Sequence, residues 1–182
     1  MLTNSQSNQI LLLANLAFGK SYLTRATLNS YDKSENIQII VSGKNEEVLG
    51  FSVVMVLRPE EFSKYLFLNV ESSTDQEWQG YRKMTIVNQE YQGKGIGSEL
   101  IRKGEAFIQT KSKTVFSSIW CNGKEAKMTN LLDKNGYQFI EKRANYWKSD
   151  SLEKRYNCAI CGVPPCKCAA LIYKKNLTLV EQ

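Results

Sequence analysis

Four of the chain's five cysteines fall within eleven of its 182 residues, as Cys158-x2-Cys161-x4-Cys166-x-Cys168. The first pair, followed by Gly162, has the spacing of a metal-binding knuckle, where glycine permits the turn that aims backbone amides at sulfur. Pro164 and Pro165 can fold the chain back toward the second, tighter pair. The sequence has no histidine, so a structural zinc ion here would rest on four thiolates. Disulfides, free thiols and an iron–sulfur cluster are the alternatives for the same spacing. The missing histidine also removes Ser-His-Asp and Cys-His nucleophile systems and imidazole general bases. Proton transfer falls to Asp, Glu, Lys, Tyr, Cys or water.

The second pattern is the turn Gln92-Gly93-Lys94-Gly95-Ile96-Gly97-Ser98, which joins a strand to a helix. Alternating glycines give the backbone unusual freedom and leave no Cβ to block a group that approaches closely. The amides of such a turn and of the helix's first residues lack intrahelical partners, and with the helix dipole they suit a pyrophosphate. Lys94 adds a full positive charge. The turn is not a Walker A loop, and Ser98 breaks the dinucleotide pattern G-x-G-x-x-G. From glycines alone, a tight turn without a ligand is the alternative.

Gln92-x-x-Gly95-x-Gly97 after a hydrophobic strand resembles the [Q/R]-x-x-G-x-[G/A] acetyl-CoA motif of the GNAT superfamily of N-acetyltransferases. Val87–Tyr91 and Ser98–Ile101 resemble its flanks. The strand Val115–Trp120, the helix with Met128 and Leu131, and Gly136-Tyr137 resemble the family's second CoA-side motif. The resemblance implies an α/β (α+β) fold, with a mixed, mostly antiparallel sheet flanked by helices. It implies an acetyl-CoA-dependent acyltransferase acting on a primary amine of a small molecule or peptide. Gln92, Gly93, Lys94, Gly95, Ile96, Gly97 and Ser98 would hold the CoA pyrophosphate. Thr85, Ile86 and Val87 would receive the pantetheine arm by backbone hydrogen bonds. Arg102 and Lys103, one to two turns along the helix, would either face the nucleotide phosphates or, the favoured reading, stay solvated.

The catalytic residues are not assigned by this resemblance. The family's usual acid, a tyrosine, falls on Leu132, the Asn seven residues earlier is Glu125, and Tyr81–Val87 carries no carboxylate. The substitutes are Glu77, Glu90, Tyr91, Tyr137 and Cys121. A non-catalytic CoA-binding, protein-binding or nucleic-acid-binding module with a zinc loop is the rival reading.

The elements that must position these residues follow from hydrophobic period and turn chemistry. Helices are expected at Asn8–Phe18, Leu23–Ser30, Gly95–Lys111 and Lys124–Asn135, the last ending on a left-handed cap at Gly136. Strands are expected at Asn36–Ser42, Val48–Leu57, Tyr81–Val87, Thr114–Cys121, Tyr137–Tyr146 and Ala169–Tyr173. Lys64–Val70 is a further candidate strand, and Glu71–Gln79 a polar excursion. Gly43–Glu46 suits a hairpin. The chain reads as one domain, residues 1–182, with the Cys-rich segment 148–168 inserted in the last strand pair.

Charge is uneven. Residues 1–81 hold 6 basic and 9 acidic side chains, and residues 82–182 hold 18 and 9. The basic half suits an anionic partner, whether phosphorylated cofactor, nucleic acid or membrane surface, but on charge alone a solvated surface is the favoured reading. The acidic loops of the first half favour a cationic amine acceptor. No run reaches the roughly 18 apolar residues of a membrane helix. Ile10–Phe18 lacks the preceding basic residues and the cleavage site of a signal sequence, so it reads as a buried helix face. A cytoplasmic protein without a membrane partner is expected, and oligomeric state is open.

Overall fold

Six strands form one sheet: β1 (Ile37–Lys44), β2 (Glu47–Leu57), β3 (Gln79–Val87), β4 (Thr114–Trp120), β5 (Gln138–Arg143) and β6 (Ala170–Asn176). The computed structural model describes residues 1–44, 46–66, 78–121 and 125–177. The sheet order is β1-β2-β3-β4-β6-β5, and every described pairing is antiparallel except β3 with β4. The β-branched runs of β2 and β4 fill both faces, which is why their burial is nearly continuous rather than alternating.

One face carries α1 (Asn4–Phe18), α2 (Arg25–Asp32) and Phe62 of α3 (Pro59–Leu66), together with the cysteine-bearing segment. The other carries α4 (Ile96–Gln109) and α5 (Ala126–Lys134), whose Ile96, Leu100, Ile101, Ile108 and Leu132 are buried. The mixed, helix-flanked sheet and the placement of the cysteines between β5 and β6 agree with the expected architecture.

Some boundaries differ, each for a local reason. α1 begins at Asn4, not Asn8, because Thr3 and Gln6 form a reciprocal capping box upstream of the apolar run. Residues 64–66 close helix α3 rather than open a strand: Pro59 sits at the helix start and Glu60 and Glu61 fill its first turn. The rest of that expected strand, residues 67–70, and Glu71–Glu77 lie outside the described residues. A short helix α6 (Lys148–Lys154) opens the Cys-rich segment 148–168, for which no helix is expected. Its only buried residue is Ser151, so it has almost no apolar period to read. β5 ends at Arg143, and Asn145 then turns the chain at φ 53° so that Tyr146 is buried. β6 runs on through Lys174, which pairs with both β4 and β5, and through Lys175 and Asn176, which keep ladder partners on β4.

Candidate active site

β3 and β4 run parallel for only three pairs, Gly80↔Val115, Tyr81↔Phe116 and Arg82↔Ser117. β4 then stays with β6 up to Trp120, while β3 stays with β2 up to Val87. The two strands therefore fork after Arg82. The fork exposes a strand edge at Met84–Val87 to which an extended chain could add by main-chain hydrogen bonds. Thr85, Ile86 and Val87 are half-buried along it.

At the open end of the fork a single 3-10 turn (Gln89–Tyr91) leads into the glycine turn. Gly93 and Gly95 have φ of +79° and +84°, and a Cβ added at either would meet nothing within 4 Å. Glycine is required there by conformation, and the space over the turn is open. Gly97 is different: its Cβ would lie 2.8 Å from Leu131 Cδ2, so this glycine lets α5 pack on α4. Gly95 stands at the N-cap of α4 and, having no side chain, offers the amides at the start of α4 no cap hydrogen bond. Gln92 Nε2 donates to the Val87 carbonyl at 3.1 Å and its Oε1 accepts from Lys127 at 3.0 Å, tying the turn to β3 and α5. Lys94 lies over the Tyr91 ring at 4.9 Å. A strand edge leading to an uncapped, cationic helix start can hold a ligand with an extended arm and a phosphorylated end.

The profile of the acetyltransferase (GNAT) family matches residues 8–137, most of this chain and all of the fork and turn. The chain belongs to the GNAT acetyltransferase family. Solved structures with the same fold include the ribosomal-protein-S18-alanine N-acetyltransferase of Escherichia coli. It is 13% identical, with a TM-score of 0.64 over 100% of this chain and 94% of that one. A ribosomal-protein-alanine N-acetyltransferase from Brucella melitensis gives 14%, 0.66, and 97% of each chain. NAA60 of Arabidopsis thaliana, solved with a bisubstrate analogue, gives 13%, 0.68, and 98% and 97%; it was also solved with acetyl-CoA. No curated protein matches the sequence.

In this GNAT acyltransferase the residues proposed for catalysis are scattered. Glu77 lies outside the described residues. Glu90 is exposed in the 3-10 turn beyond the open end of β3. Tyr91 donates to the Glu47 carboxylate at 3.0 Å, which raises its pKa and ties the turn to the start of β2. Tyr137 is buried, accepts from Arg82 at 3.2 Å, and is pushed up to about 12 by burial. Cys121, half-buried just past β4, has a thiol raised by burial. Leu132 is fully buried beneath α4, which leaves no polar group at the family's usual acid position. Arg102 and Lys103 are exposed, and Lys103 pairs with Glu99 at 2.6 Å.

Two residues escaped the sequence reading. Arg82 is 1% exposed, and its guanidinium donates to Ser52 Oγ (3.1 Å), the Ile101 carbonyl (2.9 Å) and Tyr137 Oη. Gly104 makes room for it, since a Cβ there would lie 3.1 Å from Arg82 Nη1. Lys83 is 8% exposed and is the extra residue of a β-bulge: Val54 pairs with Arg82 and Val53 with Met84. The signal was two consecutive charges, Arg82-Lys83, between apolar residues of one strand, which an unbulged strand would send to opposite faces.

The four thiols converge. Cys158, Cys161, Cys166 and Cys168 Sγ atoms all lie within 4.8 Å of one another, with separations of 3.8 Å (158–168), 3.4 Å (161–168) and 3.9 Å (161–166). A tetrahedral ion with bonds of about 2.3 Å to sulfur sets its ligands about 3.8 Å apart. Backbone amides of Ile160 and Cys161 point at Cys158 Sγ, and that of Lys167 at Cys161 Sγ, each at 3.4 Å. Burial pushes Cys168 up to about 11 and Cys166 upward also, while the Lys167 amide lowers Cys161. A cation would be needed to make thiolates of the buried pair, so donor set and spacing fit a metal ion.

The knuckle is bound to the rest of the molecule at the α1–α2 loop. Asn157 and Ala159 amides donate to Lys20 and Phe18 carbonyls at 3.0 and 3.1 Å. Gly19 passes so close that a Cβ would lie 1.8 Å from the Asn157 carbonyl oxygen. Between loop and knuckle, a cavity of about 10 Å³ is lined by Phe18, Tyr22, Trp120, Trp147 and Tyr156. That is room for one water rather than a ligand. Among the described residues no helix is long and apolar enough to cross a membrane.

Proposed function

We propose that this chain transfers the acetyl group of acetyl-CoA to the amino group of a peptide or protein. The observation that carries the reading is the β3–β4 fork opening beside the uncapped helix start at Gly95. The pantetheine arm would pair with Thr85, Ile86 and Val87. The pyrophosphate would sit on Gly93, Lys94, Gly95, Ile96, Gly97 and Ser98, with Gln92 holding the turn closed. The thioester would then lie at the closed end of the fork. There the acceptor nitrogen forms the C–N bond as the C–S bond breaks, and its electron pair leaves on the CoA sulfur.

A peptide or protein acceptor is favoured by neighbours that act on ribosomal-protein alanine and one solved with a bisubstrate analogue. The four cysteines hold a structural zinc ion that joins the segment before β6 to the α1–α2 loop. Four thiolates on zinc imply a reducing compartment, in keeping with a cytoplasmic location. The test is a thermal-shift titration with acetyl-CoA, followed by thiol release with an alanine-first tetrapeptide. Stabilisation that saturates with ligand is expected, and no shift at millimolar acetyl-CoA overturns the reading.

A further inference from the structure

Lys83 stands where the proposed reaction needs a proton acceptor. It is the first β3 residue past the last β3–β4 pair, Arg82↔Ser117, and so lies at the closed end of the fork. Lys83 is the extra residue of the bulge and is buried, with Asp150 and Lys154 of α6 acting on its charge, while the neighbouring Arg82 goes to α4. The groups around it come from three directions. On its own strand Tyr81 is hydrogen-bonded to Ser118 of β4 at 2.6 Å. Tyr146, before α6, shares that pair, and α6 supplies Asp150 and Lys154.

Burial raises Tyr81 and pushes Tyr146 up to about 12, so neither phenol takes or gives a proton readily near neutral pH. Burial and, secondarily, Lys154 lower Lys83 from 10.5 to about 8, against the opposing pull of Asp150. At pH 7.5 about a quarter of such a group is neutral, against about one in a thousand for an ordinary lysine. An α-ammonium has a pKa of about 7.7–8.0, so proton transfer to this amine is nearly thermoneutral.

Building on the acetyl transfer proposed above, we propose that Lys83 is the general base, its amine at the fork of β3 and β4 deprotonating the acceptor. Nζ takes one proton from the acceptor's ammonium, and the freed lone pair forms the C–N bond. The C–S bond breaks and its electrons go to sulfur. The nitrogen's second surplus proton passes to that sulfur as CoA-SH leaves, and the Lys83 ammonium returns its proton to water.

The experiment compares wild type with Lys83→Gln and Lys83→Arg, following thiol release from acetyl-CoA across pH 6–10. Two nucleophiles are used: alaninamide, whose amine is largely charged near neutral pH, and hydroxylamine, which is largely neutral there. Acetyl-CoA binding is measured in parallel by calorimetry. With alaninamide, both variants are expected to lose about a hundredfold or more in rate near pH 7, and the gap to wild type to narrow above about pH 8, where the acceptor sheds its own proton. Hydroxylamine bypasses the loss, and acetyl-CoA affinity stays within about threefold. Wild-type alaninamide rates in the variants, or an equal fall with both nucleophiles, would overturn the base role. So would wild-type protein that binds acetyl-CoA yet releases no thiol with alaninamide. Failure of wild type to bind acetyl-CoA at all is a separate outcome: it overturns the acetyl-transfer reading, and the base role falls with it.

Discussion

Replacing Gly95 by alanine separates what the glycine turn does for folding from what it does for a ligand. At φ +84° an L-residue costs roughly 1–2 kcal/mol. A Cβ there meets nothing within 4 Å, so no packing clash adds to that strain. In a domain of this size each kcal/mol lowers Tm by roughly 2–4 °C, so the expected fall is about 2–8 °C. Binding suffers separately, because the added methyl occupies space that the phosphates would fill. Losing one hydrogen bond to a charged oxygen costs about 1.5–3 kcal/mol, which weakens acetyl-CoA binding roughly tenfold to a hundredfold. Scanning calorimetry reads the first effect, and isothermal titration well below Tm reads the second. Gly97→Ala is the comparison, since its Cβ meets the flexible end of Leu131 at 2.8 Å and disturbs α4–α5 packing. A Gly95→Ala protein with lowered Tm and wild-type affinity for acetyl-CoA would refute the placement of the pyrophosphate.

Further expectations follow from the same geometry. Metal analysis of purified protein should find about one zinc per chain, and Cys161→Ser should lose it along with several degrees of Tm. Arg82→Met leaves the Ile101 carbonyl and Tyr137 hydroxyl without their donor and should cost about 2–4 kcal/mol in urea unfolding. Tyr91→Phe removes only an exposed contact to Glu47, so thiol-release rates and Tm should stay at wild-type values. Lys83→Met should stabilise the protein while slowing it. Below about pH 8 the folded state carries the cost of a buried charge, roughly 3 kcal/mol for a displacement from 10.5 to about 8. Between about pH 8 and 10.5 the unfolded chain holds a proton that the folded one has shed, so wild-type stability rises with pH there. The advantage of Lys83→Met in denaturant should therefore shrink across that window.

What the sequence disclosed and what it hid divide along the range of the interactions. The hairpin at Gly43–Glu46, the period of α4 and the left-handed cap at Gly136 are local, and the fold has them close to where they were expected. The glycine turn was legible because φ +79° and +84° leave glycine as the residue that fits without strain. Lys83 was not legible, because a lysine in a strand reads as solvent-facing and its burial depends on tertiary packing that neither its spacing nor its neighbours in sequence reveal. α6 itself hid because its buried contact is a serine that bonds the Cys166 amide at 2.8 Å, not an apolar stripe. The seating of the knuckle on Gly19 joins residues far apart in the chain, and nothing in either segment announces the other.

The position of β6 sets the schedule of folding. It comes last in sequence among the described strands, yet it lies between β4 and β5, which do not pair with each other. While the chain is being synthesised, β4 and β5 therefore have no partner on their β6 sides, and the sheet cannot close until Ala170–Asn176 emerges. The residues just before it bring Cys166 and Cys168, the last two thiols of the knuckle that seats against the α1–α2 loop through Asn157 and Ala159. A polypeptide stopped short of Ala170 would keep two unpaired strand edges, the kind of template that recruits other chains. With its closing contacts so distant in sequence, the sheet should close slowly and nearly all at once, and only after β6 has emerged.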